Sequence, residues 1–119
     1  MSMAATMKNN LTIYALKTCD SSKKAISSLR VAGHEVLVVD VRADGVSDDL
    51  LASWLALHGA DVMINRKSTT WRNFDEATKA ESPLALLRAH PTLMKRPVIV
   101  DGDHVHVGWG KDVQTAFSI

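Results

Sequence analysis

Apolar positions in this chain come as short runs alternating with helical stripes, and the two periods divide it into strands and helices. Leu11 to Leu16 reads as a short strand. Ala25, Ile26 and Leu29 then fall on one face of a helix predicted from about Ser21 to Ala32, with Gly33 as its stop signal. Val36 to Val39 is an unbroken apolar run ending at Asp40, the pattern of a strand covered on both faces. Strand, helix and strand at this spacing predict a βαβ unit. The loop Arg42-Ala43-Asp44-Gly45 leads to Ser47, a good helix N-cap, with Asp48 and Asp49 suited to the first turn. Leu50, Leu51, Trp54 and Leu55 supply a stripe predicted to be buried, and Gly59 closes the helix.

The stretch from Asn65 to Asn73 has no clear periodicity and is dense in Arg, Lys, Ser, Thr and Trp, so no element is predicted there. Ser82-Pro83 opens another helix with Leu84, Leu86 and Leu87 on its apolar face, and Pro91 ends or bends it. Val98-Ile99-Val100, the turn signal Asp101-Gly102 and His104 to Val107 predict an antiparallel hairpin, followed by a last helix from about Asp112 to Phe117. The order is that of an α/β thioredoxin-like fold: a βαβ unit and a ββα unit with a helical insertion between them. In that fold a reactive cysteine sits at the first strand-to-helix junction and a proline precedes the third strand. Cys19 and Pro97 occupy those places, and the Arg96-Pro97 bond is expected to be cis on this analogy. Residues 1–10 read as a disordered leader and residues 11–119 as one domain.

Composition narrows the classes of function. A net charge of +1 gives no electrostatic basis for binding nucleic acid or an anionic membrane surface. No apolar run approaches the ~18 residues of a membrane helix, and the first ten residues lack the apolar stretch of a signal peptide. The single cysteine cannot form an internal disulfide, which points to a reducing compartment and a cytoplasmic protein. A monomer is expected.

Cys19 itself carries the chemistry. A helix N-terminus and nearby ammonium groups favour thiolate over thiol, and the neighbours in Lys17-Thr18-Cys19-Asp20-Ser21-Ser22-Lys23-Lys24 are polar and cationic. Lys17, two residues before Cys19 in a turn, is the cation expected to stabilise the thiolate. Ser22 is placed to donate a hydrogen bond to the sulfur, and Asp20 suits the helix start. His104 and His106 share a sheet face with no third ligand in view, so no metal is expected.

Five blocks in order then carry a resemblance: Lys17-Thr18-Cys19-Asp20 with Lys23-Lys24-Ala25, Asp40 to Gly45, Ser68-Thr69-Thr70-Trp71-Arg72, Lys95-Arg96-Pro97 and Val107-Gly108-Trp109. Over Leu11 to Phe117 the chain resembles the arsenate reductase (ArsC)/Spx family, and within it the small bacterial YffB-like proteins. For arsenate reductases the resemblance implies a nucleophilic cysteine and three arginines that hold the oxyanion. Arg96 matches one of them and the pair Arg66-Lys67 holds the second, in a register open by one residue. Where the third is expected stands Gly108-Trp109-Gly110.

Spx-type regulators, which bind RNA polymerase, often carry Cys-x-x-Cys at this place; here the second position is Ser22. The YffB-like branch implies a glutathione-dependent thiol reductase that needs one cysteine, with glutathione or a small oxidised substrate as its partner and no bound cofactor. On this reading Cys19 is the nucleophile, with Lys17 and Arg96 beside it. Arg66, Lys67, Ser22, Thr70, Trp71 and Pro97 are the expected substrate contacts. Arsenate reductase proper and a non-enzymatic, Spx-like protein-binding regulator are the alternatives, the latter using an exposed Trp109.

Overall fold

In this computed structural model, which describes residues 10–119, β1 (Asn10–Ala15) lies inside a four-stranded sheet of order β2-β1-β3-β4. It is parallel to β2 (Glu35–Asp40) on one side, with Ala15 opposite Asp40, and antiparallel to β3 (Val98–Asp101) on the other, with Tyr14 opposite Val98. β3 turns back into β4 (His104–Val107), Asp101 facing His104. The two-residue turn between them begins at Gly102, whose φ of 58° is open to glycine at little steric cost. The interior strand β1 alternates strictly, burying Leu11, Ile13 and Ala15. The twelve-residue helix α1 (Asp20–Val31) packs Ala25 and Leu29 onto them, and Ile99 and Val113 complete this core. Val113 belongs to the last helix, α7 (Lys111–Ala116).

The chain divides into two compact units, one running to Asp40 and resuming from Arg96 to Ile119, the other Val41–Lys95. The sheet, α1 and α7 make up the described part of the first. The second is helical: α2 (Asp48–His58), α3 (Ala60–Met63), α4 (Thr69–Arg72), α5 (Glu76–Lys79) and α6 (Pro83–Ala89), closed by a 3-10 turn at Pro91–Leu93. α2 packs on α6, burying Leu51, Trp54, Leu86 and Leu87. An isolated bridge between Ile64 and Met94 ties the ends of the unit, with Asn65 N–H donating to the Leu93 carbonyl at 2.9 Å and Lys95 N–H to that of Met63 at 2.8 Å.

The mixed α/β, thioredoxin-like architecture follows the pattern read from the sequence, and three local readings change. β1 starts at Asn10, inside the stretch assigned to a leader; residues 1–9 lie outside the described residues. β2 is not covered on both faces: Leu37 is 65% and Val38 37% exposed, because β2 is an edge strand. Its valines reflect β propensity as much as burial. In the predicted stripe of α2, Leu51 and Trp54 are buried while Leu50 and Leu55 are only half-buried.

Elements also stand where none was predicted. Thr69–Arg72 and Glu76–Lys79 are single helical turns held by capping, Ser68 Oγ accepting from Trp71 N–H at 3.1 Å and Asp75 Oδ1 from Thr78 N–H at 2.8 Å. A four-residue helix has no room for a periodic stripe, so only its cap is visible in sequence. No helix among the described residues is long and apolar enough to cross a membrane.

Burial on α1 sets a direct test. Leu29→Ala, at a fully buried position, lowers stability by about 2–5 kcal/mol, whereas Val31→Ala, 86% exposed two residues further on, changes it by less than about 0.5 kcal/mol. Urea unfolding of the two variants against the parent measures both.

Candidate active site around Cys19

The chain leaves β1 through buried Leu16 and turns at Lys17 and Thr18, where Cys19 N–H donates to the Leu16 carbonyl at 2.9 Å. The Cys19 carbonyl accepts from Lys23 N–H at 3.0 Å, the first bond of α1, so Cys19 is the N-cap residue. The sulfur thus stands at the positive end of a three-turn helix, half-exposed and free to react. Because β1 and β3 are antiparallel, the residues before β3 arrive at this same end of the sheet. They are Arg96 and buried Pro97, joined by a cis peptide bond as the fold analogy implied. The Pro97 carbonyl is fixed by Gly108 N–H at 2.8 Å.

Burial pushes the Cys19 thiol up, but it is outweighed. The Ser22 hydroxyl and backbone N–H, together with a hydrogen bond and the positive charge from Arg96, hold the thiol below its ordinary value. Ser22 sits one turn along α1 at 1% exposure, and its hydroxyl meets no oxygen or nitrogen partner. Ionisation of Cys19 gives that hydroxyl an acceptor. Lys17, the cation expected to do this work, is exposed on the turn and is not among the groups that shift the thiol. Arg96, expected both to grip an oxyanion and to stand beside the nucleophile, is brought to the sulfur itself.

The remaining candidates belong to the second unit. Arg66 Nη1 lies 2.6 Å from Asp61 Oδ1, and its guanidinium stands 5.4 Å from the centre of the Trp71 ring. The Lys79 ammonium is 5.5 Å from the same ring, and Phe74 meets its edge at 6.1 Å. Trp71 is therefore the centre of a local cation-aromatic cluster. Lys67 is exposed, its N–H donating to Asn65 Oδ1 at 3.1 Å, and Thr70 is half-buried within α4. Asp61 and Lys79 were invisible as partners in the sequence because the one-turn helices that place them carry no pattern.

Elsewhere in the first unit, Trp109 packs half-buried against the sheet core, a correction to its reading as an exposed contact; Gly108 turns the indole back onto the sheet. The His106 ring is 4.9 Å from that of Phe117, which also touches His34 at 5.7 Å. No group of three or more potential metal ligands occurs among the described residues.

Comparison with known proteins places this arrangement. Residues 14–117 match the ArsC family, and the chain belongs to it. It is similar to an uncharacterised protein of Haemophilus influenzae, 37% identical over 91% of this chain and 99% of that one. The global transcriptional regulator Spx of Bacillus subtilis is 27% identical over 86% of this chain and 82% of its own. Among solved structures, the YFFB protein superposes with a TM-score of 0.85 at 33% identity, covering 92% of this chain and all of the other. An arsenate reductase (ArsC) related protein from Brucella melitensis gives a TM-score of 0.73 at 29% identity, over 92% and 96%.

The groups around the sulfur make separable predictions. In iodoacetamide alkylation followed against pH, the midpoint for the parent lies below the ordinary thiol value of about 8.5. Arg96→Gln and Ser22→Ala move it upward, and Lys17→Gln leaves it in place. The same shift sets a pH dependence of stability. The folded thiol has the lower pKa, so between the folded and unfolded values the unfolded chain binds more protons. Stability therefore rises with pH across that window and is lost as pH falls through the folded value. The melting temperature of the parent relative to Cys19→Ala should climb as pH rises towards the ordinary thiol value of about 8.5.

Proposed function

We propose that the protein is a glutathione-dependent thiol-disulfide reductase working through Cys19 alone. The observation that carries this reading is the sulfur of the sequence's one cysteine, set at the N-terminus of α1 with its pKa lowered by Ser22 and Arg96. The thiolate attacks the glutathione sulfur of a mixed disulfide. The substrate's thiol leaves with the electron pair of the broken S–S bond, and Cys19 is left disulfide-bonded to glutathione. A second glutathione attacks that bond, takes the first away as glutathione disulfide and restores the thiolate. Glutathione is thus the reductant, and no bound cofactor is required. The similarity to the YFFB structure supports the assignment at the level of fold and family.

Reduction of arsenate is the nearest alternative, supported by the family and by the Brucella melitensis relative. Against it stand Gly108-Trp109-Gly110 where a third oxyanion-binding arginine is expected, and Arg66 already paired with Asp61. A regulatory role is supported by the Spx relatives, but Ser22 in place of a second cysteine removes the local disulfide on which a redox switch would turn.

A coupled assay with glutathione, glutathione reductase and hydroxyethyl disulfide tests the proposal. The parent should catalyse NADPH oxidation, and Cys19→Ser should reduce the rate to background, a loss of at least a hundredfold. Equal rates for parent and variant, or none for either, sink the reading. Substituting arsenate for the disulfide should produce no more than background oxidation; a Cys19-dependent rate there would favour the arsenate alternative.

A further inference from the structure

Within the first unit is a cavity of about 190 Å³, lined by residues on either side of Cys19 in the chain, Lys17 and Ser22, and not by Cys19 itself. Leu16, Ile26 and Val38 give it hydrocarbon walls, Ser22 lies at its buried side, and Lys17, Lys23 and Asp40 stand around it. Its position follows from the sheet. Ala15 and Asp40 are paired at the ends of β1 and β2, so the first turn of α1 rises over the end of two parallel strands, the place where α/β folds admit ligands. The proposed reaction accounts for Cys19 and for the glutathione sulfur that it attacks. It assigns no place to the thiol that leaves.

Two features indicate that the cavity is built to receive a group. Ser22 is a buried polar side chain that lines it and has no oxygen or nitrogen partner. A serine hydroxyl has one proton to donate and lone pairs to accept with. The thiolate takes the proton, which leaves the lone pairs of this buried oxygen without a donor. The second feature is size and surface: an apolar cavity of about 150 Å³ holds a benzene molecule, so this one admits a phenyl ring and a methylene. Two lysines against one aspartate leave the surround net positive, which suits a carboxylate attached to that ring. Exposed lysines add little binding energy, so their part is to orient the ligand.

We propose that this cavity binds the leaving half of the disulfide, and that it selects thiols carrying an aromatic or branched hydrocarbon group next to a carboxylate. The inference rests on the reductase reading for its chemistry. Cys19 attacks the glutathione sulfur, the thiolate that bears the ring departs from the cavity with the electron pair of the broken bond, and free glutathione regenerates Cys19 as above.

The test compares mixed disulfides of glutathione with two thiols that differ only by a phenyl ring, 2-sulfanylpropanoate and 3-phenyl-2-sulfanylpropanoate. The phenyl substrate should show a kcat/KM about tenfold higher, or more, from burial of the ring. In Val38→Trp, which places bulk in the cavity from a partly exposed wall, the ratio should fall to near one. A second arm needs no turnover: 3-phenylpropanoate, which has no sulfur, should slow iodoacetamide alkylation of Cys19 in the parent and not in Val38→Trp. Equal kcat/KM for the two disulfides, with no protection by 3-phenylpropanoate, overturns the cavity assignment and leaves the reductase reading intact. Protection without turnover of either disulfide does the reverse, upholding the cavity as an aryl-acid site and ending the reductase reading.

Discussion

The antiparallel pairing of β1 with β3, Tyr14 opposite Val98, is the constraint from which the site follows. A strand that ends where its antiparallel neighbour begins brings together residues remote in the chain. Here the residues leaving β1 lead to Cys19 and those entering β3 are Arg96 and Pro97. The parallel pairing on the other side brings Asp40 level with Ala15. Three strand termini therefore meet at one end of the sheet, and α1 starts there with its N-H groups pointing back toward them. A slip of one residue in the β1–β3 register would turn Ile13 and Ile99 out of the core, and it would also draw the guanidinium away from the sulfur. Packing and site are set by the same pairing.

The thiol illustrates how little is needed once that geometry exists. Burial opposes ionisation, and it is the largest single influence on Cys19. It is overcome by one hydroxyl, one backbone N–H and one guanidinium at short range. Arginine suits this task because it remains charged at every accessible pH and offers several donors in a fixed plane. A lysine on an exposed turn, such as Lys17, is screened by water. Proximity in sequence misled here: two residues of separation counted for less than a register that brings Arg96 across from the next strand.

Much of the fold was legible in the sequence. The alternation of β1, the apolar face of α1, the caps at Ser47 and Ser82 and the Asp101-Gly102 turn each correspond to a structural feature with a local cause. What could not be read was either too short or not local. The one-turn helices of the second unit follow capping alone, and the exposure of Leu37 depends on which strand lies at the sheet edge, a fact of topology. Trp109 looked exposed because glycines flank it, yet the backbone at Gly108, with φ of 86°, directs the indole inward. Of the site, Cys19 and Ser22 were identifiable from helix-start chemistry and Arg96 from a family pattern. That Arg96 outweighs Lys17 at the sulfur, and that Arg66 is engaged by Asp61 and Trp71, required coordinates.

Ser22 connects the electrostatics to the chemistry proposed. One turn from the nucleophile, a second cysteine would resolve the enzyme's own mixed disulfide; a serine binds the thiolate and cannot do so. The intermediate must then await an external thiol, which the half-exposed position of Cys19 allows. Lowering a thiol's pKa raises the fraction present as thiolate, makes each thiolate a somewhat weaker nucleophile, and improves it as a leaving group. The Ser22–Arg96 pair therefore favours the second step, in which glutathione expels Cys19, more than the first. A one-cysteine site gains most from that bias, because no second thiol of its own is at hand to rescue a stalled intermediate.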